Sequence, residues 1–219
     1  MALTLYSAWR ATAPYRVRIG LQLKGLSYDY VPIDLIRGEQ REPAYKAVNP
    51  QGLTPALDIG AKEGGDRDIL TQSVAILEWL EETHPEPAIL PKDALARQRV
   101  RTMALIIACD IHPLNNTRIG RALNKLGVSK DDNLAWVHRW ISDGFDTLEP
   151  MVARYGKGFA FGEKPTIADC CLIPQVYSAN RYELDLTPWP AIRAVNGRAL
   201  EHPAFQAAHP NKQPDAVSA

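Results

Sequence analysis

The segment Asn49-Pro50-Gln51-Gly52-Leu53-Thr54-Pro55-Ala56-Leu57, followed after a short acidic insert by Thr71-Gln72-Ser73, limits what this chain can fold into more than any other stretch. A Thr54-Pro55 bond directly before an apolar strand is a candidate cis peptide, since X-Pro bonds lose most of the usual trans preference and cis-Pro concentrates in tight turns. Such a turn offers the amide and carbonyl of Thr54 to an extended ligand. Gln72 and Ser73 stand where an amphipathic run begins, so unpaired amides and the positive end of a helix dipole suit a carboxylate. One segment is fit to grip a peptide backbone and the other an acid.

Around these segments the apolar pattern predicts strands over Leu3–Ser7, Tyr28–Asp34, Pro55–Ile59 and Arg67–Leu70. Between the first two, Val17, Ile19, Leu21 and Leu23 alternate with polar residues, and period counting alone reads a strand. A helix over Pro14–Gly25 is expected instead: Pro14 suits a first turn, Gly25 a stop, and parallel strands need a crossover that is usually helical. From Val74 a helix is expected to run to His84, and the Pro-rich stretch to Pro91 reads as a linker. Beyond it Val100, Met103, Ala104, Ile107, Ala108 and Ile111 repeat at helical spacing, as do Val137, Trp140, Ile141, Phe145 and Leu148. The fold class expected is an α/β N-terminal domain over residues 1–84, a linker over 85–92 and an all-α C-terminal domain over 93–219.

Thr166-Ile167-Ala168-Asp169 reads as a capping box, which makes Asp169 a structural carboxylate rather than an acid catalyst. Pro174 is expected to kink the same helix. The tail from Pro210 to Ala219, short and unpatterned, is expected to be loosely ordered.

Twenty-five basic residues balance 25 acidic ones, so no global field draws in nucleic acid or a membrane surface. There is no basic-then-apolar leader and no apolar run near the ~20 residues of a membrane span, and a cytoplasmic protein is the default. The three cysteines, Cys109, Cys170 and Cys171, lack metal-like spacing and are expected to be small buried hydrophobes. His84, His138, His202 and His209 converge on no carboxylate or cysteine, so no metal is expected.

The order strand, Pro-turn, strand, Gln-Ser, helix resembles the thioredoxin-like half of the glutathione transferases. Trp9-Arg10-Ala11-Thr12-Ala13-Pro14-Tyr15-Arg16-Val17-Arg18-Ile19 is similar to the signature of the zeta class, the maleylacetoacetate and maleylpyruvate isomerases. Asp110-Ile111-His112-Pro113-Leu114-Asn115-Asn116 and Arg181-Tyr182-Glu183-Leu184-Asp185-Leu186 resemble the same class. The resemblance implies glutathione as cofactor, a small dicarboxylic dioxo acid as substrate, and a homodimer. It also implies an isomerisation in which the glutathione thiolate adds to a cis double bond, lets it turn and leaves.

On that resemblance, Thr54 and Pro55 pair with the glutathione backbone, Gln72 and Ser73 bind its γ-glutamyl end, and Gln51 reaches its glycyl carboxylate. His112 and Asn116 approach the tripeptide, and Arg10 and Arg181 hold the substrate carboxylates, for which guanidinium offers paired donors. Arg16 and Arg18 are expected to be structural or to lie at the dimer interface. Family members carry a Ser-Ser-Cys-like run after the arginine, where this chain has Ala11-Thr12-Ala13. Thr12 therefore keeps the one hydroxyl fit to partner the thiolate, or else serves as a helix cap. Two other readings stay open: conjugation or dehalogenation of small α-halo acids, and glutathione binding with little catalysis.

Overall fold

The computed structural model describes residues 2–61, 65 and 67–217, which divide into two compact units, Met1–Ile89 with His202–Ala219, and Leu90–Glu201. Most of the acidic insert after Ala61 lies outside the described residues.

In the first unit, β1 (Leu3–Ser7) is followed by α1 (Thr12–Leu23), β2 (Tyr28–Pro32), α2 (Pro43–Val48), β3 (Ala56–Ala61), β4 (Arg67–Thr71) and α3 (Ser73–Thr83). The sheet order is β2-β1-β3-β4, with β1 parallel to β2 and antiparallel to β3, and β3 antiparallel to β4. This is the thioredoxin-like arrangement, and α1 is the crossover that a parallel β1-β2 pair demands.

The alternating pattern of α1 misleads because Arg16 and Arg18 are core residues, 2% and 0% exposed, so the helix is buried on nearly every side. Its stop is local: Gly25 takes φ 65°, its amide bonds Gln22 O at 3.1 Å and that of Leu26 bonds Leu21 O at 3.0 Å. That is a Schellman motif, which a left-handed glycine closes without a Cβ clash.

Arg18 is held by acceptors throughout its fork: Nε donates to Ala208 O, Nη1 to Ser7 Oγ and Ala8 O, and Nη2 to Trp9 O. Burial lowers its pKa, against which nearby phenols and Asp215 act. Lys24, also fully buried, donates to Glu81 at 2.6 Å and to Pro87 O at 2.7 Å. Glu81 in turn accepts the Ile89 amide at 2.9 Å, which ties the ends of α1 and α3 to the stretch leaving this unit.

The second unit is helical: α4 (Ala94–Leu105), a π-helical stretch (Ile106–Ile111), α5 (His112–Asn115), α6 (Thr117–Lys125), α7 (Lys130–Tyr155), α8 (Ile167–Arg181) and α9 (Pro190–Glu201). The π stretch directly precedes Pro113: the His112 amide bonds Ile107 O, one residue further back than an α-helix would reach, and Pro113 has no amide to give. Gly144 of α7 lies where an added Cβ would strike Ile111, so α7 approaches this stretch closely only because the position is glycine.

The Thr166–Asp169 box closes as expected at the start of α8: the Asp169 carboxylate takes the Thr166 amide at 2.8 Å, the Thr166 hydroxyl at 2.9 Å and the Ala160 amide at 2.6 Å. α8 runs from Ile167 to Arg181 as one helix through Pro174.

Two expectations are corrected. The C-terminal stretch does not belong with residues 93–201: α10 (Pro203–Ala208) packs on α1, and the tail beyond it is tied down. Far from loose, it forms a 3-10 turn at Pro210–Lys212, Gln213 bonds the carbonyls of Ala207 and His209, and Asp215 bonds Tyr30 and Trp9. Ser218 and Ala219 lie outside the described residues. Secondly, Cys170 and Cys171 are buried but Cys109 is exposed.

Candidate active site

The first unit assembles most of the expected ligand-binding residues on three loops. The loop before β3 is built by its own side chains: Tyr45 Oη and Asn49 Nδ2 both donate to Leu53 O at 2.7 Å, and Asn49 Oδ1 accepts the Gln51 amide at 3.1 Å. Burial pushes the Tyr45 phenol up to about 12, so it remains a donor throughout the physiological range. Gly52 takes φ 64°, and a Cβ there would meet the Gln40 carbonyl at 2.9 Å, so glycine is required twice over. The loop delivers Thr54 and Pro55, whose peptide bond is cis as the sequence led us to expect.

The second loop is the turn into α3. Gln72, the N-cap, has φ 64° and ψ 106°, a conformation costly for a residue with a Cβ, and such outliers gather at ligand-holding sites. Its Nε2 donates to Gln51 Oε1 at 2.9 Å, joining the loop before β3 to the turn into α3 across 21 residues of sequence. Ser73 opens α3, and its Oγ accepts from the buried Arg16 Nη1 at 3.2 Å. With a guanidinium occupying one lone pair, the hydroxyl hydrogen remains to be donated, and a positive charge behind it favours an anion in front. The first amides of α3 have no intrahelical partners, so donors and dipole act together. This set fits a peptide that ends in a carboxylate: side-chain amides, a hydroxyl donor and a helix start.

The third loop is Ala8–Ala11. Trp9 is half-buried, and the exposed Arg10 guanidinium lies 5.5 Å from the centroid of its ring. Ala11 is the N-cap of α1, with extended φ and ψ, and Thr12 is the first helical residue. The capping alternative for Thr12 is therefore overturned. Thr12 is 7% exposed, and its hydroxyl makes no hydrogen bond among the described residues. The amides of Thr12 and Ala13 lie in the first turn, where helices leave such donors unpaired, and Pro14 brings none.

The remaining expected residues belong to the second unit. His112 follows the π stretch and opens α5. Asn116 caps α6 by accepting the Arg118 amide at 3.0 Å, which leaves its side-chain NH2 as donor. With Asn115, Arg121, Lys130 and Tyr182 it lines a cavity of about 400 Å³ within this unit. Arg181 ends α8 in exposed position, 6.0 Å over the Tyr182 ring, and a left-handed Glu183 (φ 56°) closes the helix. His138, which sequence reasoning set aside, meets the Tyr182 carbonyl at 2.6 Å. A carbonyl only accepts, so Nε2 carries the hydrogen and braces the residue next to Arg181. Nothing local to His138 signals that pairing, which spans 44 residues. Among the described residues no His, Cys, Asp or Glu cluster is arranged to hold a metal.

Known proteins resemble this chain in sequence and fold. Residues 13–83 match the glutathione S-transferase N-terminal domain and residues 135–202 its C-terminal domain. A maleylpyruvate isomerase of Ralstonia sp is 49% identical over 217 residues, which cover 97% of this chain and 99% of the relative. A holo structure of maleylpyruvate isomerase, described as a bacterial glutathione S-transferase of the zeta class, is 48% identical at a TM-score of 0.93, covering 98% of this chain and 100% of that one. The maleylacetoacetate isomerase of Anaeromyxobacter dehalogenans, solved with dicarboxyethyl glutathione and citrate in its active site, is 41% identical at a TM-score of 0.89, covering 99% of this chain and 94% of that one.

Proposed function

The chain belongs to the glutathione transferase family, in its zeta class, and on that premise we propose that it is a glutathione-dependent cis-trans isomerase of maleylacetoacetate or maleylpyruvate. The observation that carries this reading is the Gln51–Gln72 hydrogen bond, which joins a backbone-presenting turn to a carboxylate-ready helix start. Relatives that are 49% and 44% identical to this chain over 217 residues are named maleylpyruvate isomerase and maleylacetoacetate isomerase.

Glutathione, when bound, supplies the thiolate that adds reversibly to the substrate double bond. Thr54 and Pro55 present backbone groups to the peptide, Gln72 and Ser73 hold its γ-glutamyl carboxylate, and Gln51 serves its glycyl end. His112 and Asn116 orient the tripeptide. Thr12 donates its unengaged hydroxyl to the sulfur, and the first amides of α1 add their dipoles, all of which favour the ionised thiol. Arg10 and Arg181 each take a substrate carboxylate. Fixed guanidinium charges also stabilise the negative charge that develops during addition, without reorganising at the moment of reaction. We extend the proposal to a two-fold homodimer located in the cytoplasm.

The test is glutathione-dependent isomerisation of both dioxo acids, followed by ultraviolet absorbance, for the parent protein, Thr12→Ala and Thr12→Val. The parent is expected to be active only with glutathione, and both variants to lose about a hundredfold in kcat, the scale of one removed charge-stabilising donor. An inert parent at saturating glutathione overturns the isomerase reading, and unimpaired variants transfer the thiolate-stabilising role to the backbone amides.

A further inference from the structure

Asp215 stands seven residues beyond α10 in a tail that has no sequence pattern. Yet its carboxylate is engaged at both oxygens: Oδ2 accepts the Trp9 amide at 3.1 Å, and Oδ1 accepts the Tyr30 hydroxyl at 2.6 Å. The other end of the Trp9 residue is held as well, since the buried Arg18 donates Nη2 to Trp9 O at 2.7 Å. The Trp9 backbone is thus clamped between a carboxylate on its N–H and a guanidinium on its carbonyl, and the two charges attract one another. Trp9 in turn supports Arg10, whose guanidinium lies over its ring, and the Ala11 amide closes the turn on Ala8 O at 3.1 Å before Thr12 begins α1.

We propose that Asp215 is a positioning residue for the reaction, reaching from the C-terminal tail to fix the Trp9–Arg10 turn and so the direction in which Arg10 meets a substrate carboxylate. The proposal rests on the isomerase reading for Arg10's role. Ordering a polar tail costs backbone entropy, and part of the return falls on one loop of the candidate site through the Trp9 amide. Charge-assisted hydrogen bonds are the stronger kind, and side chains that act through a second residue are felt in catalysis when a small misplacement follows their loss. Gln51, Thr54, Gln72 and Ser73, which grip the ends and backbone of the tripeptide, stand on loops to which Asp215 makes no hydrogen bond among the described residues, and Thr12, directly after the turn, meets only the sulfur, so loss of Asp215 weakens acid binding more than glutathione binding.

The experiment compares Asp215→Ala, Asp215→Glu and Tyr30→Phe with the parent. It measures glutathione affinity by calorimetry, the KM of the dioxo acid at saturating glutathione, and the affinity of the glutathione-loaded protein for malonate as a dicarboxylate probe. Asp215→Ala is expected to raise the dioxo-acid KM and the malonate Kd by about tenfold, the effect of losing a hydrogen bond to a charged group, with glutathione affinity held within about twofold. Tyr30→Phe, which removes one partner of the carboxylate and leaves the Trp9 bond, is expected to move the same quantities less. Asp215→Glu recovers most of the loss. An unchanged malonate Kd in Asp215→Ala, a parallel fall in glutathione and malonate affinity, or no recovery with glutamate overturns the proposal. Because the malonate measurement needs no turnover, an inert parent refutes the isomerase reading while leaving this test intact.

Discussion

Asp169 carries a prediction in which pH, rather than truncation, is the perturbation. Its carboxyl is fully buried and lifted by burial from 3.8 to about 6, although amides of Ala160 and Thr166 and the Thr166 hydroxyl pull it the other way. A rise of about two units at 1.36 kcal/mol per unit amounts to about 3 kcal/mol. The folded-state value lies above the unfolded one, so the folded protein keeps a proton that the unfolded chain releases. The group's stabilising contribution is therefore fully present below about pH 3.8 and is lost as pH rises through about 6. Asp169→Asn does not titrate; its carbonyl oxygen accepts one amide, but its NH2 cannot accept the other, which leaves a buried donor unpaired at a cost of ~1–3 kcal/mol. The stability gap between parent and Asp169→Asn is expected to be widest near pH 4 and to shrink by about 3 kcal/mol on the way to about pH 7. Urea unfolding at constant protein concentration, followed by tryptophan fluorescence across that range, measures the gap, and all other titrating groups cancel in the difference. A gap that stays flat or widens with pH refutes the reasoning.

Lys24→Met leaves Glu81 charged and buried beside the Ile89 amide, and the expected loss is about 3–5 kcal/mol in the same unfolding assay. A loss below about 1 kcal/mol contradicts a desolvated pair. Ser73→Ala removes both the acceptor of Arg16 and the proposed carboxylate donor, and glutathione binding is expected to weaken about tenfold or more by calorimetry. A Kd within twofold removes Ser73 from the site.

Local signals were legible in the amino-acid sequence because they act over a few residues of chain. The Gly25 stop and the Thr166–Asp169 box depend on neighbours at most five positions away, the Thr54-Pro55 turn on a loop closed within about a dozen residues, and all three form as read. β1 likewise spans Leu3–Ser7 as its pattern indicated. The family signature around Arg10 and Thr12 and the Gln-Ser pair were readable for the same reason, being short runs of particular residues.

What tertiary structure decided is which polar groups meet. Arg16 and Arg18 look like the solvent side of a strand and are instead core residues, because Ser73, Ser7 and the carbonyls of Ala208 and Trp9 arrive from elsewhere to accept their hydrogens. A charged side chain is buried only when such partners exist, and composition holds no record of where they come from. The same holds for the Gln51–Gln72 bond and for His138 at the Tyr182 carbonyl. Asp215 is the extreme case: in a tail without pattern, its partners lie 185 and 206 residues away, and only the folded chain brings a carboxylate to the turn that carries Arg10.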